Sequence, residues 1–250
     1  MIPAIKAEFL KLLTVRSTYF TVLAALAIVI LFAGFGGGYR IDTQNLHNPA
    51  TLASESANAI LFGGIILALV GLLLFAHEYR YNTILYTLTS SNSRAKSLLA
   101  KLVAVTIFAI IVSAALAIFS PFCTIIGIHI ANKHLISQTF PVWPVLWRCV
   151  FVGWGYAMYA FILTAIIRSQ VGSIVTFLLI PLIGEHLIMS IFKNSGKYLP
   201  FNNLQSAVNS LLPGGDTTSI SMKHSVTVTC LYIAVGLLIS FILFVRRDAN

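Results

Sequence analysis

Long uncharged apolar runs alternate with shorter charged segments along nearly the whole chain. An α-helix rises about 1.5 Å per residue, so about 20 apolar residues cross the hydrocarbon core of a membrane, which is about 30 Å thick. Six runs are of this kind, and each predicts one membrane-spanning helix: 17–36, 58–76, 102–128, 149–167, 171–192 and 225–245. The pattern predicts an all-α, polytopic membrane protein in which residues 1–250 form a single transmembrane domain.

Glycine, proline and charged residues interrupt these runs and set the predicted helix ends. The Gly36–Gly38 string is predicted to end the first span, because glycine disfavours a helix interior. The third run is longer than one crossing needs, so Pro121 is predicted to kink or end that helix. The fifth span either ends near Gly184 or continues to Phe192, and the sequence leaves both readings open.

Composition and charge exclude a water-soluble globule. Of the 250 residues, 58% are apolar and 9% are charged, whereas soluble domains are about 25% charged. The 16 basic and 7 acidic residues give a net charge of +9. In a soluble protein this excess would indicate nucleic acid, but in a membrane protein it indicates basic loops that set topology and contact anionic lipid. Membrane lipid is therefore expected as a partner, and nucleic acid is not.

The basic residues also predict an orientation. With six spans, the side that holds both chain ends carries ten of them: Lys6, Lys11, Arg16, Arg80, Arg94, Lys96, Lys101, Arg168, Arg246 and Arg247. The other side carries six, in longer loops. Basic residues near span ends prefer the cytoplasm, so both termini are predicted to be cytoplasmic.

A short amphipathic helix is predicted before the first span. Apolar residues recur every three or four positions there: Ile2, Ile5, Phe9 and Leu12. Lys6, Glu8 and Lys11 lie off this stripe. The pattern indicates a helix lying in the membrane interface, although a charged leader that only sets topology would also fit.

A second amphipathic segment lies between spans two and three, on the side predicted to be cytoplasmic. Four residues follow helical spacing in it: Tyr81, Ile84, Leu85 and Leu88. The polar stretch Ser90–Ser93 then breaks the chain before Arg94. A connection between helices in a bundle needs about 2–8 residues, so this longer segment is expected to bind a partner or to lie passively on lipid.

Motifs in the two amphipathic segments match a known pattern. Residues 7–12 read AEFLKL and residues 14–18 read TVRST. Residues 78–80 read EYR, residues 93–94 read SR and residues 101–102 read KL. On these motifs the chain resembles bacterial ABC transporter permeases of the type-2 exporter class, which include bacitracin- and lantibiotic-export-like permeases.

The resemblance implies roles for both segments. The first would form an elbow-like interface helix that carries Glu8, Lys11 and Arg16. The second would be a coupling helix that docks in a groove of a separate ATPase subunit, with five site residues: Glu78, Arg80, Thr83, Leu85 and Arg94. The chain departs from the family pattern at Asn82, where Gly is common, and at Ser91, where Pro is common. Asparagine also tolerates left-handed backbone, so the assignment stands.

The resemblance also implies a function. The chain would be the permease subunit of an ATP-driven exporter in the bacterial cell membrane, moving antimicrobial peptides, drugs or lipids. It would form a homodimer or a heterodimer with a second permease, and its ABC ATPase partner would bind the ATP and Mg²⁺. In this family the stretch that corresponds to 193–224 folds partly back into the membrane from outside.

The motifs of common catalytic sites are missing. The sequence holds no GxxxxGK[ST] phosphate loop, no GxSxG nucleophile turn and no HExxH metal helix, so we predict no catalytic residue, no metal site and no cofactor in this chain. A secondary transporter or pore without an ATPase is the alternative, and it needs charged or discontinuous helices at the membrane midplane. Glu185 and His186 are the pair available for that, either as part of a substrate path or at the membrane surface.

Overall fold

The computed structural model describes residues 2–41, 46, 48–81, 94–133, 142–209 and 220–246. Helices, and no strands, make up the secondary structure of these residues. In chain order they are α1 (Ile2–Thr14), α2 (Arg16–Phe35), a π-helical turn (Gly36–Arg40), α3 (Pro49–Arg80), α4 (Arg94–Ile130), α5 (Val142–Ile167), α6 (Gln170–Leu179), a second π-helical turn (Ile180–Gly184), α7 (Glu185–Ile191), a 3₁₀ turn (Ser195–Tyr198), α8 (Pro200–Asn209) and α9 (Met222–Arg246).

Six helical segments in the described ranges are long and apolar enough to cross a membrane. They are α2 with its π-helical turn, α3, α4, α5, the continuous α6–α7 unit and α9. The predicted all-α, polytopic fold with six spans is therefore confirmed. The coupling helix was predicted over residues 78–94. Residues 78–80 of that segment form the end of α3 and Arg94 begins α4, whereas residues 82–93 lie outside the described residues.

The helices are longer than the apolar runs. Helix α3 begins at Pro49 rather than near residue 58, and α4 begins at Arg94 rather than near residue 102. Hydropathy identifies only the apolar part of a helix. The backbone hydrogen bonds of the helix continue through polar residues whose side chains are paired within the protein. The fifth span does not end near Gly184 but continues through Glu185 to Ile191, one residue short of the longer of the two predicted ends.

The glycine string does not end the first span, so that prediction is wrong. The helix continues as a π-helical turn to Arg40, and this turn packs closely against α4. A Cβ atom added at Gly37 would lie 2.2 Å from the Thr124 carbonyl oxygen, and one added at Gly127 would lie 2.0 Å from the Gly34 carbonyl oxygen. These glycines allow two backbones to approach each other, which is a common use of small residues between membrane helices.

Helix α4 also continues past Pro121, which was predicted either to kink the helix or to end it. The helix does not end there. The neighbouring Ser120 hydroxyl donates to the Ser56 carbonyl of α3. Thr124, one turn further along, lies with its hydroxyl oxygen 3.0 Å from that of Ser56. Contacts with α3 therefore hold α4 in place where proline removes one of its own hydrogen bonds.

Helices α3 and α5 form the centre of the bundle. Phe75 of α3 packs against Phe161 of α5 and Phe244 of α9, with ring centroids 5.5 and 5.6 Å apart. Helices α2, α6–α7 and α9 instead keep broad apolar faces exposed. A membrane covers such faces with lipid, so the arrangement fits a bundle embedded in a bilayer.

Helix α8 packs inside the bundle, at the end away from α1. Its Phe201 ring lies 5.9 Å from the ring of Tyr156, 5.2 Å from that of Tyr159 and 5.6 Å from that of Phe177. Tyr156 lies in the middle of α5. The described part of the stretch predicted to fold back into the membrane is therefore in contact with the interior of the bundle.

Candidate functional site

Four charged side chains meet at the end of the bundle where α1 lies. Glu8 and Lys11 come from α1, Glu78 comes from the last turn of α3, and Lys101 comes from α4. We call these four residues the charge cluster. Its two carboxylates and two ammonium groups balance each other. Glu78 and Lys101 lie on the two helices that border residues 82–93, so the cluster joins both of these helices to α1.

Helix α1 carries its part of the cluster on a buried face. Glu8 and Lys11 are three residues apart and so lie on one side of a helix. Glu8 is 4% exposed and shares its face with buried Leu12. Glu8 lies off the apolar stripe of the sequence and is nevertheless buried. From the sequence, only the apolar stripe of α1 was predicted to contact a partner, the membrane. Helix α1 also packs against α4, which buries the side of the helix that carries Glu8.

Each ammonium group in the cluster contacts both carboxylates. Lys101 Nζ lies 3.0 Å from each oxygen of Glu8 and 2.6 Å from Glu78 Oε1. Lys11 Nζ lies 3.1 Å from Glu8 Oε1 and 2.8 Å from Glu78 Oε1. Three helices are thus joined by charge-assisted hydrogen bonds, which are stronger than bonds between neutral groups.

Burial makes these contacts necessary. Lys101 is 0% exposed and Glu78 is 6% exposed, and an unpaired charge at such a position costs several kcal/mol. Lys11 is partly exposed. Burial alone would lower the pKa of Lys11, but its hydrogen bond to Glu78 and the charges of Glu78 and Glu8 outweigh burial and raise that pKa above its usual value. Lys11 therefore stays protonated at neutral pH.

A cavity of about 440 Å³ lies beside the charge cluster, between α1, α2 and α3. Lys11 and Glu78 line it together with Leu12, Thr18 and His77. Glu78 Oε2 is buried and accepts no hydrogen bond from the described residues. The charged groups of the cluster are paired with one another across three helices, so the arrangement forms an electrostatic link between helices.

The other residues predicted for this region lie apart from the charge cluster. Arg16 begins α2 and is exposed. Arg80 is exposed and donates to Gln170, with its Nη1 atom 3.4 Å from Gln170 Oε1. Arg94 is the first residue of α4. Thr83 and Leu85 lie outside the described residues.

Lys101 is the member of the charge cluster that was not among the site residues predicted from the sequence. It stands in a resembling motif, but the third span was predicted to begin one residue later, which left Lys101 in a loop. The available signal was a charge within an apolar stretch, between Ala100 and Leu102. A charge inside a membrane helix usually faces a partner of opposite charge.

Glu185 and His186 occupy the opposite end of the bundle. Glu185 is 4% exposed, and its two carboxylate oxygens accept hydrogen bonds from the backbone N–H groups of Phe201 (2.8 Å) and Asn202 (2.7 Å). These amides belong to the first turn of α8, which otherwise lacks acceptors for them. The exposed His186 has its Nδ1 atom 3.0 Å from the Pro181 carbonyl oxygen. Glu185 therefore holds the start of α8 against the fifth span.

Comparison with known protein families gives a match over most of the chain. The family model described as "ABC-2 family transporter protein" matches residues 4–184. The matched range contains all four residues of the charge cluster and ends just before Glu185. Among curated proteins, none matches the chain significantly.

Proposed function

The chain belongs to the ABC-2 family of transporter proteins, and from this we propose that it is the permease subunit of an exporter driven by a separate ATPase chain. Membership makes the chain a multi-pass membrane component of an ABC transporter. The proposal adds that ATP and Mg²⁺ are bound by the ATPase partner and that movement of that partner reaches this chain through the segment 82–93.

The charge cluster is the observation that carries the coupling proposal. A docking segment transmits motion only if its ends are attached rigidly to the helices that must move. Glu78 and Lys101 attach both ends to each other, with Glu78 Oε1 2.6 Å from Lys101 Nζ, and Glu8 attaches them to α1. A displacement of the segment 82–93 would therefore move α3, α4 and the interface helix together.

Several finer features of the proposal rest on the sequence. The basic asymmetry supports a cell-membrane location with both termini cytoplasmic. The resembling motifs support a bacterial exporter of the bacitracin- and lantibiotic-export-like type, which carries antimicrobial peptides, drugs or lipids. They also support a homodimer or a heterodimer with a second permease.

The alternative is a secondary transporter or pore without an ATPase, and it would need a charged group free to bind an ion or substrate inside the membrane. Glu185 is the sequence's candidate for that role. Both of its carboxylate oxygens are occupied by backbone N–H groups of α8. This engagement favours a structural role for Glu185 and so favours the ATP-driven proposal.

Copurification tests the proposal directly. The tagged full chain, expressed in its own host and extracted in mild detergent, should carry an ABC ATPase with it. A Glu78→Gln variant should retain its membrane level but lose most of the ATPase association and of the substrate-stimulated ATP hydrolysis. Glu55→Gln is the matched control, because Glu55 also lies on α3 but forms its ion pair with Arg40 at 3.7 Å, towards the opposite end of that helix.

Two results would overturn the proposal. One is ATP hydrolysis by the purified chain when mass spectrometry detects no partner. The other is equal ATPase association for Glu78→Gln, Glu55→Gln and the unmodified chain. Orientation has its own test, in which an impermeant thiol reagent applied to intact cells should label Lys197→Cys but leave Lys6→Cys unlabelled. The reverse labelling would contradict cytoplasmic termini.

A further inference from the structure

A basic site lies at the same end of the bundle as α1, outside the charge cluster. It is a cavity of about 510 Å³ between the end of α3 and the turn that joins α5 to α6. Arg80 lines it from α3, and Arg168, Ser169 and Gln170 line it from the turn. We call this cavity the basic pocket. No aspartate or glutamate is among the residues that line it.

The turn from α5 to α6 positions the second arginine. Arg168 follows the last residue of α5 and has a φ of 58°, in the left-handed region, while its backbone N–H donates to Thr164 at 2.9 Å. Its Nη2 atom donates to the Leu243 carbonyl oxygen of α9 at 2.9 Å, which fixes the guanidinium. Ser169 then caps α6 by accepting a hydrogen bond from the Gly172 N–H.

The basic pocket therefore offers positive charge from three sources. The two guanidinium groups of Arg80 and Arg168 are planar forks of donors that suit the oxygens of a phosphate. The first turn of α6, a helix of 10 residues, adds the positive end of its dipole. The polar part of a fitting ligand is accordingly an anionic phosphate.

An apolar stripe leads away from the basic pocket along α6. Val171 lines the pocket and is 71% exposed, and Val175 and Leu179 follow at intervals of four residues and are also exposed. Residues at this spacing lie above one another on one face of a helix. A ligand with its phosphate at the arginines would therefore find an apolar track that runs into the membrane.

We propose that the basic pocket binds the headgroup of an anionic phospholipid from the leaflet in which α1 lies, with an acyl chain along Val171, Val175 and Leu179. Basic pockets between membrane helices on one face of a bilayer are suited to such headgroups. The apolar track distinguishes a lipid from a free phosphate or an acidic side chain of a partner protein, neither of which would use it. This proposal does not depend on ATPase coupling.

Native mass spectrometry of the full chain in detergent tests the proposal. The delipidated protein is titrated with phosphatidylglycerol, with phosphatidylcholine as the zwitterionic reference and glycerol 3-phosphate as the soluble competitor. We expect one saturable phosphatidylglycerol site. Arg80→Gln should weaken it at least fivefold, since one basic residue near a charged membrane surface contributes about that factor. Arg168→Gly should do the same while keeping the left-handed backbone, which glycine adopts freely.

Lys6→Gln is the matched control, because it removes one positive charge from an exposed position on α1, outside the basic pocket. It should leave the phosphatidylglycerol site unchanged. Equal weakening by all three variants would indicate diffuse charge attraction and overturn the proposal. Full competition by glycerol 3-phosphate would assign the pocket to a free phosphate instead. Unchanged lipid binding in Arg80→Gln, with loss of a copurifying ATPase, would assign it to a protein partner.

Discussion

Replacing Lys101 by methionine should strongly destabilise the bundle. Methionine matches the length of the lysine stem, so the change removes the ammonium group with little loss of packing. Glu8 and Glu78 would remain buried, with only the half-exposed Lys11 between them. Removing one partner of a buried ion pair typically costs about 3–5 kcal/mol, because the other charge stays buried. Since Lys11 still contacts both carboxylates, we expect a loss of about 3 kcal/mol in the free energy of unfolding.

Equilibrium unfolding in mixed micelles, with an increasing fraction of a denaturing detergent, measures this loss. Lys96→Met is the matched control, since Lys96 lies on the same helix but is exposed, and exposed charges contribute about 0–1 kcal/mol. Adding Glu78→Gln to Lys101→Met should restore part of the stability, because it leaves Lys11 with one buried carboxylate to neutralise instead of two. A double-mutant cycle then gives the coupling between the two residues.

The reasoning would be refuted by a Lys101→Met variant within about 0.5 kcal/mol of the unmodified protein, a change typical of an ordinary surface position. It would also be refuted if Glu78→Gln and Lys101→Met were additive. In either case the charge cluster would not hold the three helices together, and the mechanical argument for coupling would lose its basis.

Three further predictions address other parts of the molecule. The pKa of Lys11 is raised in the folded protein, so its contribution to stability should be complete below about pH 10.4 and be lost as the pH rises through the pKa of the folded state. Between pH 9 and pH 12, the free energy of unfolding should therefore fall less in Lys11→Met than in the unmodified protein. An equal fall in both proteins would contradict this. Gly127→Ala should cost about 1–3 kcal/mol, because the new Cβ meets the Gly34 carbonyl at 2.0 Å, whereas Gly184→Ala, whose nearest atom is 3.9 Å away, should be tolerated in the same unfolding assay. Glu185→Gln should speed amide hydrogen exchange in the first turn of α8, because a glutamine side chain has one acceptor oxygen where the carboxylate has two. Unchanged exchange together with altered transport would instead place Glu185 in the substrate path.

The sequence predicted the six spans because each needs only a long apolar run, and length and hydropathy report that property directly. It did not predict where the helices end, since Glu78 and Lys101 are tolerated inside helices because the charge cluster supplies each of them with partners. Hydropathy along one chain carries no information on such a pairing. The Gly36–Gly38 string shows the same limit, because glycine weakens a helix in isolation but permits close contact with α4 in the bundle.

The candidate site was predicted in part. The resembling motifs pointed to Glu8, Lys11 and Glu78, which the structure brings together. They also pointed to Arg80, which lies at the basic pocket instead. Motifs report which residue types occur at a spacing, but the direction of a side chain depends on its position around the helix. One or two residues along α3 separate Glu78, which faces the bundle, from Tyr79 and Arg80, which face α6.

The charge cluster also bears on how the protein is made. Synthesis runs from the N-terminus, so Lys101 is the last of the four charges to leave the ribosome. Glu8 and Glu78 have been synthesised by the time α4 is made, so their carboxylates can pair with an ammonium group whose burial without a partner would be costly. We therefore expect the final position of the third span to depend on correct placement of α1 and α3. In a chain whose interface helix failed to dock, Lys101 would keep Glu78 but lose Glu8, and the third span would be anchored less firmly.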